Sequence, residues 1–257
     1  MKKTLAISKL LILEIFRKKD FYVAFVLTGF ILFYAARLHF YNASNAYRYL
    51  LDMGLFLSVF FASFLTVSLA ARQFPSETQA KTCHVLLSKP VSRNQFVLGK
   101  FLGSFSAGLT VLFLFFAVLM GAAVSKATDF SWVLSLQTFY LFGLSLMILT
   151  AMTIFFSFFM TTTSNISISL ALFLVIHLYG ARLRHSAEAI QEPLRQVILG
   201  VNQAIPHFGF FDMRQRFIHG WEPISFRLIL FLTAYAFCYS AFFLFAGCAI
   251  FQKKNIP

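Results

Sequence analysis

Apolar residues in this chain come in long runs rather than in alternating or short blocks. The runs fall at about residues 21–36, 50–71, 101–125, 136–160, 166–180 and 226–251. At 1.5 Å per residue, roughly 20 residues cross a hydrocarbon layer. The pattern therefore predicts an all-α polytopic membrane protein with six transmembrane helices. The first and fifth runs borrow flanking residues to reach full length.

Between the runs lie three polar or mixed segments. Residues 4–16 are apolar-rich but interrupted by Ser8, Lys9 and Glu14, and Arg17-Lys18-Lys19 follow. This predicts an interfacial helix within residues 1–19, its cations near anionic headgroups. In the segment 72–100, Ser76-Glu77-Thr78-Gln79 after Pro75 fits a capping box, and Glu77 and Lys81 stand at i, i+4. Lys89-Pro90 stops that helix, because the residue before a proline avoids the helical region. Ser92-Arg93-Asn94-Gln95 is a second capping box opening the next helix. In the segment 181–227, Leu194, Val197, Ile198, Val201 and Ile205 share one helical face, predicting an amphipathic helix that Pro206 ends.

Composition sharpens the class. Of 257 residues, 59% are hydrophobic and 12% charged, with a mean hydropathy of +0.77. A water-soluble domain carries roughly 25% charged residues; this chain has too little polar surface to cover itself. Its net charge of +13 does not mark a nucleic-acid binder, since Lys and Arg sit beside the apolar runs and no basic domain stands clear of them. They set orientation instead. With both termini cytoplasmic (N-in/C-in), cytoplasmic segments hold 13 Lys and Arg, and the two short outer loops hold only Arg37, Arg48 and Lys126. The long outer segment holds six more, but short loops carry the signal. Met1-Lys2-Lys3 is not read as a cleaved leader, because Lys9 and Glu14 interrupt the apolar stretch behind it.

Catalytic chemistry finds no foothold. Asp52 and Arg37 lie near helix ends, and His177 lies near an outer boundary as a hydrogen-bonded interface histidine. Paired carboxylates and the HExxH, CxxC and GxSxG motifs are absent from the sequence. Cys83, Cys238 and Cys248 are too scattered for a disulfide framework or metal set, and the methionines stand singly. No catalytic residue and no metal ligand is expected. Thr161-Thr162-Thr163-Ser164-Asn165 reads as a polar cap between two helices rather than an ion site. Gly99-Lys100 lacks the upstream glycine and following Ser or Thr of a phosphate loop, so no cofactor is expected on this chain.

The segment from Glu77 to Arg93 resembles the coupling segment of type-2 ABC exporter permeases. The matching residues are Glu77, Thr82, Leu86-Leu87-Ser88, Pro90-Val91-Ser92-Arg93 and Gly99-Lys100. Pro206-His207-Phe208-Gly209-Phe210-Phe211-Asp212-Met213-Arg214 is similar to the outer segment of one branch, the permeases serving maturation of multicopper enzymes such as nitrous oxide reductase. The resemblance implies that residues 1–257 form a single ABC transporter transmembrane domain in the inner (cytoplasmic) membrane. It implies a second permease subunit, alike or different, and a dimer of ATPase subunits that bind ATP and magnesium. Glu77, Lys81, Thr82, Leu86, Leu87, Ser88, Pro90 and Arg93 would engage the ATPase. Pro206, Phe211, Asp212 and Arg214 would build the outer segment, which could face a periplasmic partner. The function implied is ATP-driven export. The alternative is mechanotransmission to an outer partner without passage of substrate.

Overall fold

A computed structural model of the chain describes residues 14, 17, 19–37, 43–79, 93–124, 131–188 and 205–253. Among them the secondary structure is helical, without strands. Helix α1 spans Lys19–Arg37, α2 Ala43–Gln79, α3 Arg93–Val124, α4 Trp132–Phe156 and α5 Thr162–Glu188; a 3-10 turn follows at Phe208–Phe211, then the short α6 Arg214–Ile218 and the long α7 Phe226–Lys253. Four stretches are long and apolar enough to cross a membrane: Arg48–Phe74, Asn94–Val124, Trp132–Phe156 and Phe226–Phe251. Helices α1 and α5 carry the shorter apolar stretches Phe21–Phe30 and Thr162–His177.

The long helices alternate in direction and form a bundle. Helix α4 is its axis: 78% of its apolar window is buried, and it packs on α2, α3, α5 and α7. A helix apolar all round belongs inside. Three of its polar side chains are hidden by local hydrogen bonds, Thr138, Thr150 and Thr153 each donating to the carbonyl one turn back at 2.6–2.8 Å. Ser131 caps its start, accepting from the Leu134 amide at 3.4 Å. Helix α7 is the opposite case, with 22% of its window buried and Phe231, Phe237, Phe242 and Phe245 facing outward.

The most extensive helix pair is α2 with α3, and small residues make that contact. A Cβ at Gly54 would strike Leu119, and one at Gly108 would strike Thr66. Close backbone approach at such positions is the usual basis of helix association in lipid.

Two expectations change. Helix α2 does not stop before Pro75 to let a separate helix begin at Ser76; it runs on to Gln79. A proline inside a helix removes one backbone bond, and the continuous helix absorbs that loss near its end. Helix α5 continues to Glu188, past the boundary placed at residue 181. Polarity does not end a helix where it leaves the apolar layer; only caps and breakers do. Lys100, in the helix that the second capping box opens, lies two turns inside α3 and is 9% exposed. The second capping box agrees with the start of α3 at Arg93. The interfacial helix at 4–16, apart from Glu14, and the amphipathic stretch 194–204 lie outside the described residues.

Candidate functional sites at the two ends of the bundle

The alternating helices give the bundle two unlike ends. One gathers the end of α2, the start of α3, the α4–α5 turn and the end of α7; Lys100 lies here. The other gathers the start of α2 and α4, the late part of α5 and the segment 205–225; His177 lies here.

At the Lys100 end, buried Gln73 and Lys100 join α2 to α3. The Lys100 ammonium donates to Gln73 Oε1 at 2.9 Å, and Gln73 Nε2 donates to the Leu69 carbonyl at 3.1 Å. The ammonium also lies 5.5 Å from the Phe96 ring centroid, a distance at which a cation is attracted to a π face. Beside this pair four rings meet. Phe74 lies 4.4 Å from Phe158, 5.8 Å from Phe96 and 5.7 Å from Phe251. The cluster ties α2, α3, the α4–α5 turn and α7 together. In that turn, fully buried Asn165 donates to the Thr153 carbonyl and accepts from Ser169, both at 3.0 Å. Thr161 accepts from the Ser164 amide at 3.4 Å, so the polar run does cap a helix.

Of the residues assigned to ATPase coupling, Glu77 and Arg93 flank this end. Glu77 lies in the last turn of α2 and Arg93 is the first residue of α3. Lys81, Thr82, Leu86, Leu87, Ser88 and Pro90 lie outside the described residues.

At the His177 end the segment after Pro206 folds into the bundle. Phe208 and Phe211 of the 3-10 turn are each 1% exposed. Phe208 meets Phe173 of α5 edge-on at 5.1 Å, and the His207 amide donates to the Tyr235 hydroxyl at 3.0 Å. Burial of these rings aims Asp212 and Arg214 at α5. Arg214 donates from Nε to both Asp212 oxygens at 3.1 Å and from Nη2 to Oδ2 at 2.8 Å. Asp212 Oδ1 also accepts from the Arg214 amide at 3.0 Å. His177 Nε2 stands 3.3 Å from Asp212 Oδ2 and 3.2 Å from Arg214 Nη2. A carboxylate only accepts and a guanidinium only donates, so Nε2 serves Asp212 when it carries the hydrogen and Arg214 when it does not. Among the described residues His177 Nδ1 is buried without a hydrogen-bond partner.

Burial alone would raise the Asp212 carboxyl. The hydrogen bonds from His177 and Arg214, with the Arg214 charge, outweigh it and hold the group well below the usual carboxylate range. Burial would likewise lower Arg214; Asp212, and at longer range Asp52 on α2, raise it instead. The Arg214 guanidinium also lies 5.6 Å from the Phe56 ring centroid. Phe56, Phe60, Phe142 and Phe173 line a small crevice beside His177 and Arg214. The cluster therefore clamps the segment to α2 and α5. It offers no nucleophile, and among the described residues no group of three or more His, Cys, Asp and Glu gathers as a metal set.

All four residues assigned to the outer segment thus fall at one place: Pro206 and Phe211 in the buried base, Asp212 and Arg214 in the clamp. His177 is the hydrogen-bonded histidine that its boundary position suggested. Sequence reasoning missed that it pairs with Asp212 and missed Phe56 altogether, and it placed Asp52 only near a helix end. Nothing in the local sequence links positions so far apart. The Gln73–Lys100 bond was also missed, although a glutamine and a lysine flanking one loop were a usable signal.

Residues 4–254 match the family described as ABC-2 family transporter protein. No curated protein matches the chain.

Proposed function

The chain belongs to the ABC-2 transporter family, whose members are membrane permease components of ABC transporters; from that premise we propose that it is the permease subunit of an ATP-driven exporter, coupled to a separate ATPase chain through the segment 72–100. The protein itself is a multi-pass membrane component and not the catalyst. In this reading all six long helices cross the cytoplasmic membrane. The Lys100 end faces the cytoplasm, as the bias of Lys and Arg toward short inner segments requires, and two permease subunits pair above two ATPase subunits.

The observation that carries the proposal is the packing around the coupling segment. Its two flanking helices, α2 and α3, form the most extensive pair in the bundle, and the Lys100–Gln73 bond joins them at its root. A push on the segment would move both helices together. The Phe74, Phe96, Phe158 and Phe251 rings would pass it to α7 and the α4–α5 turn. Close-packed aromatic contacts transmit displacement because they have little room to deform. Glu77 would pair with a basic residue of the ATPase, and Arg93 with an acidic residue or a lipid phosphate.

Mechanotransmission without passage of substrate is the second reading, and the clamp at the His177 end favours it. A segment bound to α2 and α5 through Asp212, Arg214 and His177 moves with the bundle and could act on an outer partner. Glu77→Arg tests the coupling assignment: the variant should lose its ATPase in mild-detergent co-purification. Intact co-purification and intact ATPase activity would sink it. Transport in liposomes then separates export from mechanotransmission.

A further inference from the structure

The chain has two tryptophans, Trp132 and Trp221, and both lie at the His177 end, 64% and 54% exposed. Trp132 opens α4, and Trp221 lies five residues before α7. Helix α4 has 25 residues, about 37 Å at 1.5 Å per residue, against a hydrocarbon layer of about 30 Å. A centred α4 therefore overhangs that layer by about 4 Å at each end, which puts Trp132 among headgroups.

The second tryptophan is tethered near the start of α4 by a polar clasp. Gln137 Nε2 donates to the Ile224 carbonyl at 3.0 Å, and its Oε1 accepts from the Ile224 amide at 2.9 Å. Gln137 is about 7.5 Å further along α4 than Trp132. Trp221 is three residues from Ile224, a reach of at most about 10 Å, so the second indole lies within about 10 Å of the clasp. The Trp221 ring is also held in place. Its amide donates to the Arg216 carbonyl at 3.0 Å, Arg216 Nη1 donates to the Glu222 carbonyl at 2.7 Å, and the guanidinium lies 5.9 Å from the indole centroid. Gly220 takes the positive φ of 61° that this turn needs.

We propose that Trp132 and Trp221 form an interfacial belt that seats the segment 205–226 in the headgroup layer, with phospholipid headgroups as the partner of its exposed aromatic face. The segment has the build for it: Phe208 and Phe211 enter the bundle, whereas Trp221 and Phe226 face out. Tyr49, 61% exposed near the start of α2, extends the belt to a third element. Exposed rings spread over separate elements at one end of the bundle suit a lipid interface, where the indole's polar N–H and apolar body both find partners. The inference rests on membrane embedding and not on ATP coupling, so its failure would leave the coupling assignment standing.

Depth-dependent quenching tests it directly. Trp132→Phe leaves Trp221 as the sole indole reporter, and Trp221→Phe leaves Trp132. Each full-length variant is reconstituted into phosphatidylcholine vesicles brominated either near the headgroup end or near the tail end of the acyl chains. Aqueous iodide is the water-side probe. For both reporters, headgroup-proximal bromine should quench at least twofold more than tail-end bromine and more than iodide. A Trp221 that iodide quenches while neither brominated lipid does overturns the proposal, because the segment then projects into water. Stronger quenching by tail-end bromine overturns it equally. Trp132→Tyr and Trp221→Tyr, read at the tryptophan emission, replace any variant that does not fold.

Discussion

Replacing Gly108 by alanine attacks the contact between α2 and α3, the two helices that flank the proposed coupling segment. The new Cβ would lie 2.9 Å from Thr66 Cγ2 and 3.1 Å from Thr66 Cβ, and in outright collision with Thr66 Oγ1. Thr66 is fully buried and cannot swing away freely, because its hydroxyl donates to the Ala62 carbonyl at 2.6 Å. Turning it costs about 1 kcal/mol of hydrogen bond; keeping it forces the helices apart, and overpacking of this kind costs about 1–3 kcal/mol. Alanine returns up to about 1 kcal/mol of helix propensity. The net expectation is a loss of about 1–2 kcal/mol, near a tenfold shift toward the unfolded state. Gly54→Ala is the internal comparison: its Cβ meets only the flexible end of Leu119, so it should cost less. Unfolding midpoints in mixed micelles of mild detergent and dodecyl sulfate read all three proteins. Thr66→Ala combined with Gly108→Ala should recover most of the loss. A Gly108→Ala protein as stable as the parent, with no effect of the second change, would refute the packing argument.

Two further outcomes follow from the ends of the bundle. Asp212 has a folded-state pKa below its unfolded value, so its stabilisation is present above about pH 4 and is lost as pH falls toward the folded value. Asp212→Asn should flatten that acid limb in unfolding measured against pH, and should cost about 1–2 kcal/mol at neutral pH, since both partners of the ion pair are about one-fifth exposed; an unchanged acid limb would show that the clamp does not titrate as described. Asn165→Ala strips a donor from the Thr153 carbonyl and an acceptor from Ser169, and should lower stability by about 1–3 kcal/mol in the same micelle assay, whereas a neutral result would mean that the turn repacks without cost.

The class of fold was legible because it depends on quantities that a linear string carries. Six apolar runs in a chain with few charges demand helices in lipid, and α2, α3, α4 and α7 meet that demand. The polar cap at Thr161 and the start of α3 after Ser92 were legible for a similar reason: a cap needs residues within three positions of one another. Helix ends away from such caps were not. Continuation of α2 through Pro75 and of α5 to Glu188 has no such local signal in the string.

By itself, then, the chain's order of residues determined a helical membrane protein, its family resemblance, and the segments proposed to carry function. Tertiary structure alone decided which distant groups meet. Asp212 and Arg214 find His177 across more than thirty positions, and Gln137 finds Ile224 across 87. The buried rings of Phe208 and Phe211 aim the first pairing, and the packing of α7 on α4 sets the second. The physical reason is the range of each force. Hydrophobic partition and capping act on a residue and its near neighbours, whereas hydrogen bonds and ion pairs demand a partner within about 3 Å, and only the assembled bundle supplies one.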